Sequence, residues 1–270
     1  MSELVRATLE LYRQALRATF SSLTRNWILI AAVVVLAILM FLITGVAMSL
    51  GMLGGFLLGA ANAFAVGTLL SLVEQAVMTT RRMTWENLWK AAGQYFWDVI
   101  SIGFIVWVPL QFLEIGMHAN PNGPAIVSAV LFLLFLLLNP VPEIIYQVRL
   151  GSPLDSLKES YEFVLENWIE WFLPLAVILT PFGLSFFFLI SAQGGRLIGL
   201  DFLQLLQLSF AVLAQLFQLL GFSSFLTTVV VLILTPIGVV AMMLFRGFLF
   251  SALHGSSRRQ RQFRARSLGS

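Results

Sequence analysis

The sequence predicts an all-α integral membrane protein: six transmembrane helices as three hairpins, each preceded by a cytoplasmic interfacial helix, plus an interfacial helix on the outer surface. Three observations carry this. The chain of 270 residues is 59% hydrophobic and 11% charged, where soluble domains sit near ~45–50% apolar and ~25% charged. Several apolar runs reach the ~20 residues that cross a ~30 Å hydrocarbon core. Basic residues gather on one side of those runs.

The start, MSELVRATLELYRQALRATF, has no basic stretch followed by a short apolar core, so it reads as part of the fold and not as a cleaved signal peptide. Residues 3–23 form an amphipathic pattern. Leu4, Thr8, Leu11, Tyr12, Ala15, Leu16 and Leu23 share one face; Arg6, Glu10, Arg13 and Arg17 share another. Spans are expected at about 27–48, 51–78, 97–117, 124–148, 168–191 and 223–250. A second amphipathic stretch, 84–96, places Trp85, Leu88, Trp89, Ala92 and Phe96 together. A third, 153–167, can be capped by Ser152, with Pro153 at its first position and Asp155 where a capping-box acid falls. Its apolar side holds Leu154, Leu157, Tyr161, Val164, Leu165 and Trp168.

All but one of the 16 basic residues fall on the same side of the six spans, the exception being Arg196. The positive-inside rule makes that side cytoplasmic and places both termini there. The net charge of +3 follows from this topology and does not indicate nucleic-acid binding. The stretch 201–221 is long enough to cross, but a crossing would send the Arg-rich tail outside. Gln204, Gln207, Gln215 and Gln218 share a narrow face beside Asp201, so it reads as a helix lying on the outer surface. A polar stripe lining a cavity is the alternative.

The domain plan is one polytopic unit, 1–255, and a basic cytoplasmic tail, 256–270. Within the unit, Trp27, Trp97 and Trp168 open the odd-numbered spans 70 and 71 residues apart, and Phe20, Asn26, Trp27 recurs as Tyr161, Asn167, Trp168 at the same spacing. That predicts three pseudo-repeats, about 1–80, 84–150 and 152–253.

The segments LKESYEFVLENWIEWFLPL and VEQAVMTTRRMTWENLWKAAGQYFWD, with the six-span layout, resemble a loose superfamily of bacterial inner-membrane proteins. It includes the membrane domain of glycerophosphodiester phosphodiesterases. The resemblance implies a bacterial inner-membrane location. It brings no phosphodiesterase domain and no catalytic residues.

In the second span, Gly51, Gly55, Gly59, Ala63 and Gly67 recur every fourth position. Lipid tails are as apolar as Leu, so close backbone approach replaces the hydrophobic drive between helices. The stripe predicts tight packing, against the first span or against a second copy. Ionisable and amide groups in a membrane are costly and point to sites. Asn62, Glu74, Asp98, Glu143 and Arg246 form the candidate polar cavity, with Glu74 and Arg246 a possible pair. LLNPVPEIIYQ places Pro140 and Pro142 inside the fourth span, which breaks it. On the cytoplasmic side, Asp155, Glu159, Glu162 and Glu166 form a candidate docking face.

Catalysis finds no support. There is no Cys, and only His118 and His254 supply imidazole. Glu114 and His118, one turn apart, are too few for a metal site. No phosphate-binding loop, dinucleotide fingerprint or nucleophile elbow is present. No metal and no cofactor is therefore expected. The function expected is non-enzymatic: a scaffold or accessory subunit of a membrane assembly, partnered by lipid and by a membrane protein or a second copy. The alternative is a small-solute transporter or lipid-handling protein with a central polar cavity.

Overall fold

The computed structural model describes residues 3–179 and 200–254, and these are all-helical and turn, with no strand. In chain order the helices are α1 (Glu3–Arg25), α2 (Ile28–Ser49), α3 (Met52–Met78), α4 (Trp85–Ala91) and α5 (Phe96–Met117). They continue as α6 (Gly123–Leu138), α7 (Val141–Gln147), α8 (Pro153–Leu179), α9 (Phe202–Leu219) and α10 (Ser224–His254). Among the described residues, six helices are long and apolar enough to cross a membrane: α2, α3, α5, α6 with α7, α9 and α10. This is a multi-pass membrane protein. These six differ from the expected six, because α9 is among them. Of the expected span 168–191, only the part through 179 is described; the rest, like Arg196 and the tail 256–270, lies outside the described residues.

Helix α3 is the centre of the bundle. From Ala65 to Val73 every residue is buried, and the helix touches α2, α4, α5, α7, α9 and α10. Small residues let it be surrounded. A Cβ added to Gly67 would lie 2.8 Å from the Phe96 nitrogen and 2.8 Å from the Tyr95 carbonyl carbon. The bend before α5 is seated there by two bonds from α3: Thr68 Oγ1 accepts the Gly93 N–H at 2.9 Å, and the Ser71 hydroxyl donates to Gln94 Oε1 at 2.6 Å.

The rest of the glycine stripe behaves differently. Ala63 is buried with Gly67, but a Cβ at Gly51, Gly55 or Gly59 would meet no described atom within 4 Å. The close approach to α2 occurs off the stripe, where Gly54 meets the Ala47 carbonyl. The reason is the turn between α2 and α3. Gly51 there takes a left-handed φ of 55°, a conformation that glycine adopts without strain. That turn directs Gly54, not Gly55, at the preceding helix.

Each expected aromatic entry falls on a helix break. Asn26 and Trp27 separate α1 from α2. Gly93, with φ 67°, lies in the turn between α4 and α5. Asn167, at φ −126° and ψ 17°, kinks α8. Both asparagines are buried. Asn26 donates to Ser22 Oγ at 3.2 Å and accepts the Met83 N–H at 3.1 Å; Asn167 donates to the Phe163 carbonyl at 3.2 Å. Trp27, Trp97 and Trp168 are exposed.

Helix α9 pairs antiparallel with α10. Gly238 of α10 packs on Leu213 and Ser209 of α9, and the two helices are joined through Gly221 with φ 83°. Its first residue, Phe202, is fully buried. The stretch read as an interfacial helix on the outer surface is a hairpin partner of α10, with its first residue buried in the bundle. Of its glutamines, Gln204 is buried, while Gln207, Gln215 and Gln218 are exposed.

Candidate functional site

The polar residues of the bundle lie mostly toward one end, where α1 packs. The break between α6 and α7 is the first component. Pro140 and Pro142 lack N–H groups, so the helix cannot continue through them, and nearby carbonyls lose their intrahelical donors. Two are met from other helices. Leu137 accepts the Ser160 hydroxyl at 2.8 Å, and Asn139 accepts Arg246 Nη2 at 2.7 Å.

Arg246 also grips Glu143 as a fork, Nε to Oε1 at 2.8 Å and Nη2 to Oε2 at 2.9 Å. The Glu143 side chain is 4% exposed. The guanidinium carbon lies 5.2 Å from the centre of the Trp171 ring, whose indole N–H donates to Asn139 Oδ1 at 2.9 Å. A carboxylate, a free carbonyl and an aromatic face therefore surround one cation. Arginine suits this because its planar donors match a carboxylate two at a time.

The pairing of Arg246 with Glu74, one reading the sequence left open, is not what forms. Glu74 accepts the Tyr95 hydroxyl at 2.6 Å on Oε2, and its other oxygen pairs with Arg149. Arg149 ends α7 with φ 55°, the left-handed position where helices usually place glycine. A non-glycine residue there is strained, and its guanidinium adds a polar tie between α7 and α3 to the packing of Val141, Ile145 and Tyr146 in the shared core. The proximity of Tyr95, then of Glu74, holds the Arg149 pKa above its ordinary value. Burial, then the bond to Glu74, pushes the Tyr95 hydroxyl up.

Tyr146 sits between the two ion pairs, fully buried and within the fields of Glu143 and Glu74. Gln147 donates to the Gly247 carbonyl at 2.9 Å, and Gly247 leaves the room that the Tyr146 hydroxyl occupies.

Asn62 belongs to a separate cluster. Its amide donates to the Leu200 carbonyl at 2.8 Å and accepts the Phe202 N–H at 2.8 Å. It clasps the start of α9, where Asp201 accepts the Gln204 N–H at 3.1 Å. Asp98 is exposed on α5, away from these groups. The five candidate cavity residues thus divide into three clusters, each closed by its own hydrogen bonds with the Arg149 side chain 56% exposed at the surface, and one surface carboxylate. The docking face divides as well. Asp155, Glu162 and Glu166 are exposed, but Glu159 turns to His254 at 3.0 Å. Glu162 meets Lys158 at 3.7 Å.

Asn139, Arg149 and Trp171 were not among the sequence candidates. Asn139 carried a signal, since an amide beside two prolines in an apolar run requires partners. Arg149 looked like one more basic loop residue.

Fold and site together define a multi-pass α-helical membrane protein in which buried Glu143 is paired with Arg246 where the fourth span breaks. Comparison with family models, with curated proteins and with solved structures returns no match for this chain.

Proposed function

We propose that this protein is a non-enzymatic scaffold or accessory subunit of a membrane assembly. The observation that carries the reading is the division of the candidate cavity residues into closed clusters: Glu143 with Arg246, Glu74 with Tyr95 and Arg149, and Asn62 with the start of α9. A solute path requires polar groups that face shared space. Groups that satisfy one another instead fix helices relative to each other, which a scaffold requires. The basic side is proposed to be cytoplasmic in a bacterial inner membrane, with both termini on it and the three pre-span helices lying along the interface.

A second reading, a transporter, has one observation in its favour. The break at Asn139–Pro142 carries freed carbonyls and a buried ion pair, as discontinuous helices of transporters do. Purification in a gentle detergent, with quantification of co-purifying proteins, tests the two. A membrane protein retained at fixed stoichiometry is the expected result. A chain that purifies alone and makes proteoliposomes permeable to small solutes overturns the scaffold reading.

A further inference from the structure

Helix α1 has three faces, where its sequence pattern suggests two. The first faces the bundle. Leu11, Tyr12 and Ala15 pack against a cluster that includes Leu249, Phe250 and Leu253 of α10 and Phe163 and Val164 of α8. The Tyr12 hydroxyl donates to the Glu170 carbonyl at 2.8 Å, and the Ser22 hydroxyl to the Ala76 carbonyl at 3.0 Å. This face fixes the helix in place.

The second face is apolar and unpartnered. Leu9, Leu16 and Phe20 are 57%, 48% and 66% exposed. At ~100° per residue they share about 40° of arc. Leu16 therefore lies on this stripe and not on the bundle face. Beside it runs the third face, Arg6, Arg13 and Arg17, all exposed, again within about 40° of arc. One acid adjoins it. Glu10 reaches Arg13 at 3.5 Å, with both side chains more than half exposed, so the pair is weak and the face stays positive.

The contrast with α8 is informative. Its first part has the same kind of exposed stripe, Leu154, Tyr161 and Leu165, leading to Trp168. There the flank is Asp155, Glu162 and Glu166, all exposed, with one exposed cation, Lys158, beside Glu162, so that it stays net negative. Two similar apolar stripes thus carry opposite charge beside them.

We propose that the free face of α1 binds anionic lipid headgroups. Leu9, Leu16 and Phe20 enter the acyl boundary, and Arg6, Arg13 and Arg17 take phosphate oxygens. The occupant follows from two features. The stripe leads into exposed Trp27 at the mouth of α2, so it lies at the depth of a bilayer surface, and an apolar stripe with an arginine flank is the pattern of an interfacial helix. The flank complements a negative leaflet, whereas the flank of α8 repels one. Anionic lipid collects at α1 and is depleted at α8. This rests on the multi-pass reading and not on the scaffold role.

The test is the relative association of spin-labelled phosphatidylglycerol and phosphatidylcholine with the full chain in phosphatidylcholine bilayers. The wild type is expected to prefer phosphatidylglycerol. Arg6→Gln, Arg13→Gln and Arg17→Gln together are expected to abolish most of that preference, up to about fivefold per arginine at low salt. The pair Arg13→Gln and Arg17→Gln serves if the triple variant does not fold, and is expected to act in the same direction. Equal association of both lipids with the wild type overturns the proposal, as does an unchanged preference in a folded variant. Loss of a companion protein with lipid preference intact also overturns it and assigns the face to an acidic protein.

Discussion

At Arg246, a carboxylate, a backbone carbonyl and an indole ring meet one cation. Removing one member of such a pair leaves a buried charge uncompensated, at a cost of about 3–5 kcal/mol, whereas replacing both members is far milder. Arg246→Met and Glu143→Gln should therefore each lower the melting temperature in detergent, and Glu143→Gln with Arg246→Met should recover part of the loss. Wild-type melting in both single variants, or strictly additive losses, contradicts the pairing. Tyr12 offers a second test. Burial, then Glu170, pushes its hydroxyl up to about 12 from the ordinary 10. The proton is held more tightly in the folded state, so this contribution is complete below pH ~10 and is lost as pH rises through ~12. Hydrogen exchange of α1 should accelerate over that window in the wild type, and Tyr12→Phe should remove that part of the rise. Tyr95 shifts in the same direction, so the difference between the two proteins isolates Tyr12. At this scale the sequence exposed Glu143 and Asn62, because acids and amides are rare in apolar runs. It exposed Arg246 too, but not which groups pair: Arg246 takes Glu143 and not Glu74. Arg149 lies 75 residues from Glu74, and only the register of α7 on α3 brings them together.

The glycine stripe separates two packing roles within one helix. Gly67 is filled by the backbone of Tyr95 and Phe96, so Gly67→Leu must displace α5 and should lower stability by several kcal/mol, ~1–3 kcal/mol being typical of milder overpacking. Gly59 meets no described atom within 4 Å, so Gly59→Leu should leave the melt of the isolated chain unchanged. Equal destabilisation by both variants contradicts this division. Spacing showed that α3 packs closely, but four-residue periodicity cannot distinguish a face covered by the same chain from one left open. The glutamine stripe of α9 was ambiguous for a related reason. An amphipathic helix shows the same period whether its apolar side meets lipid or another helix. The break in the fourth span was legible because proline acts locally, through its missing N–H and its ring.

At the level of the whole molecule, the expected aromatic entries coincide with three helix breaks, at Asn26–Trp27, Gly93–Tyr95 and Asn167, while of the span expected after Asn167 only the part through 179 is described. Apolar length is a composition signal, which is why the multi-pass class was legible without knowledge of packing. How the polar groups share the interior is a packing outcome and was not legible. The central claim is that these groups are closed on one another and line no path. The chain has no native Cys, so single cysteines at Ala63, Leu70 and Val73 of α3 and at Val240 and Leu244 of α10, all buried, probe it directly. A membrane-impermeant maleimide is applied from each side of sealed vesicles, with exposed Ser21 and Arg81 as positions that should label from one side only. The account predicts no labelling of the five buried positions from either side. Labelling of a contiguous series of them, reachable from both sides in turn, would show a hydrated path and contradict it.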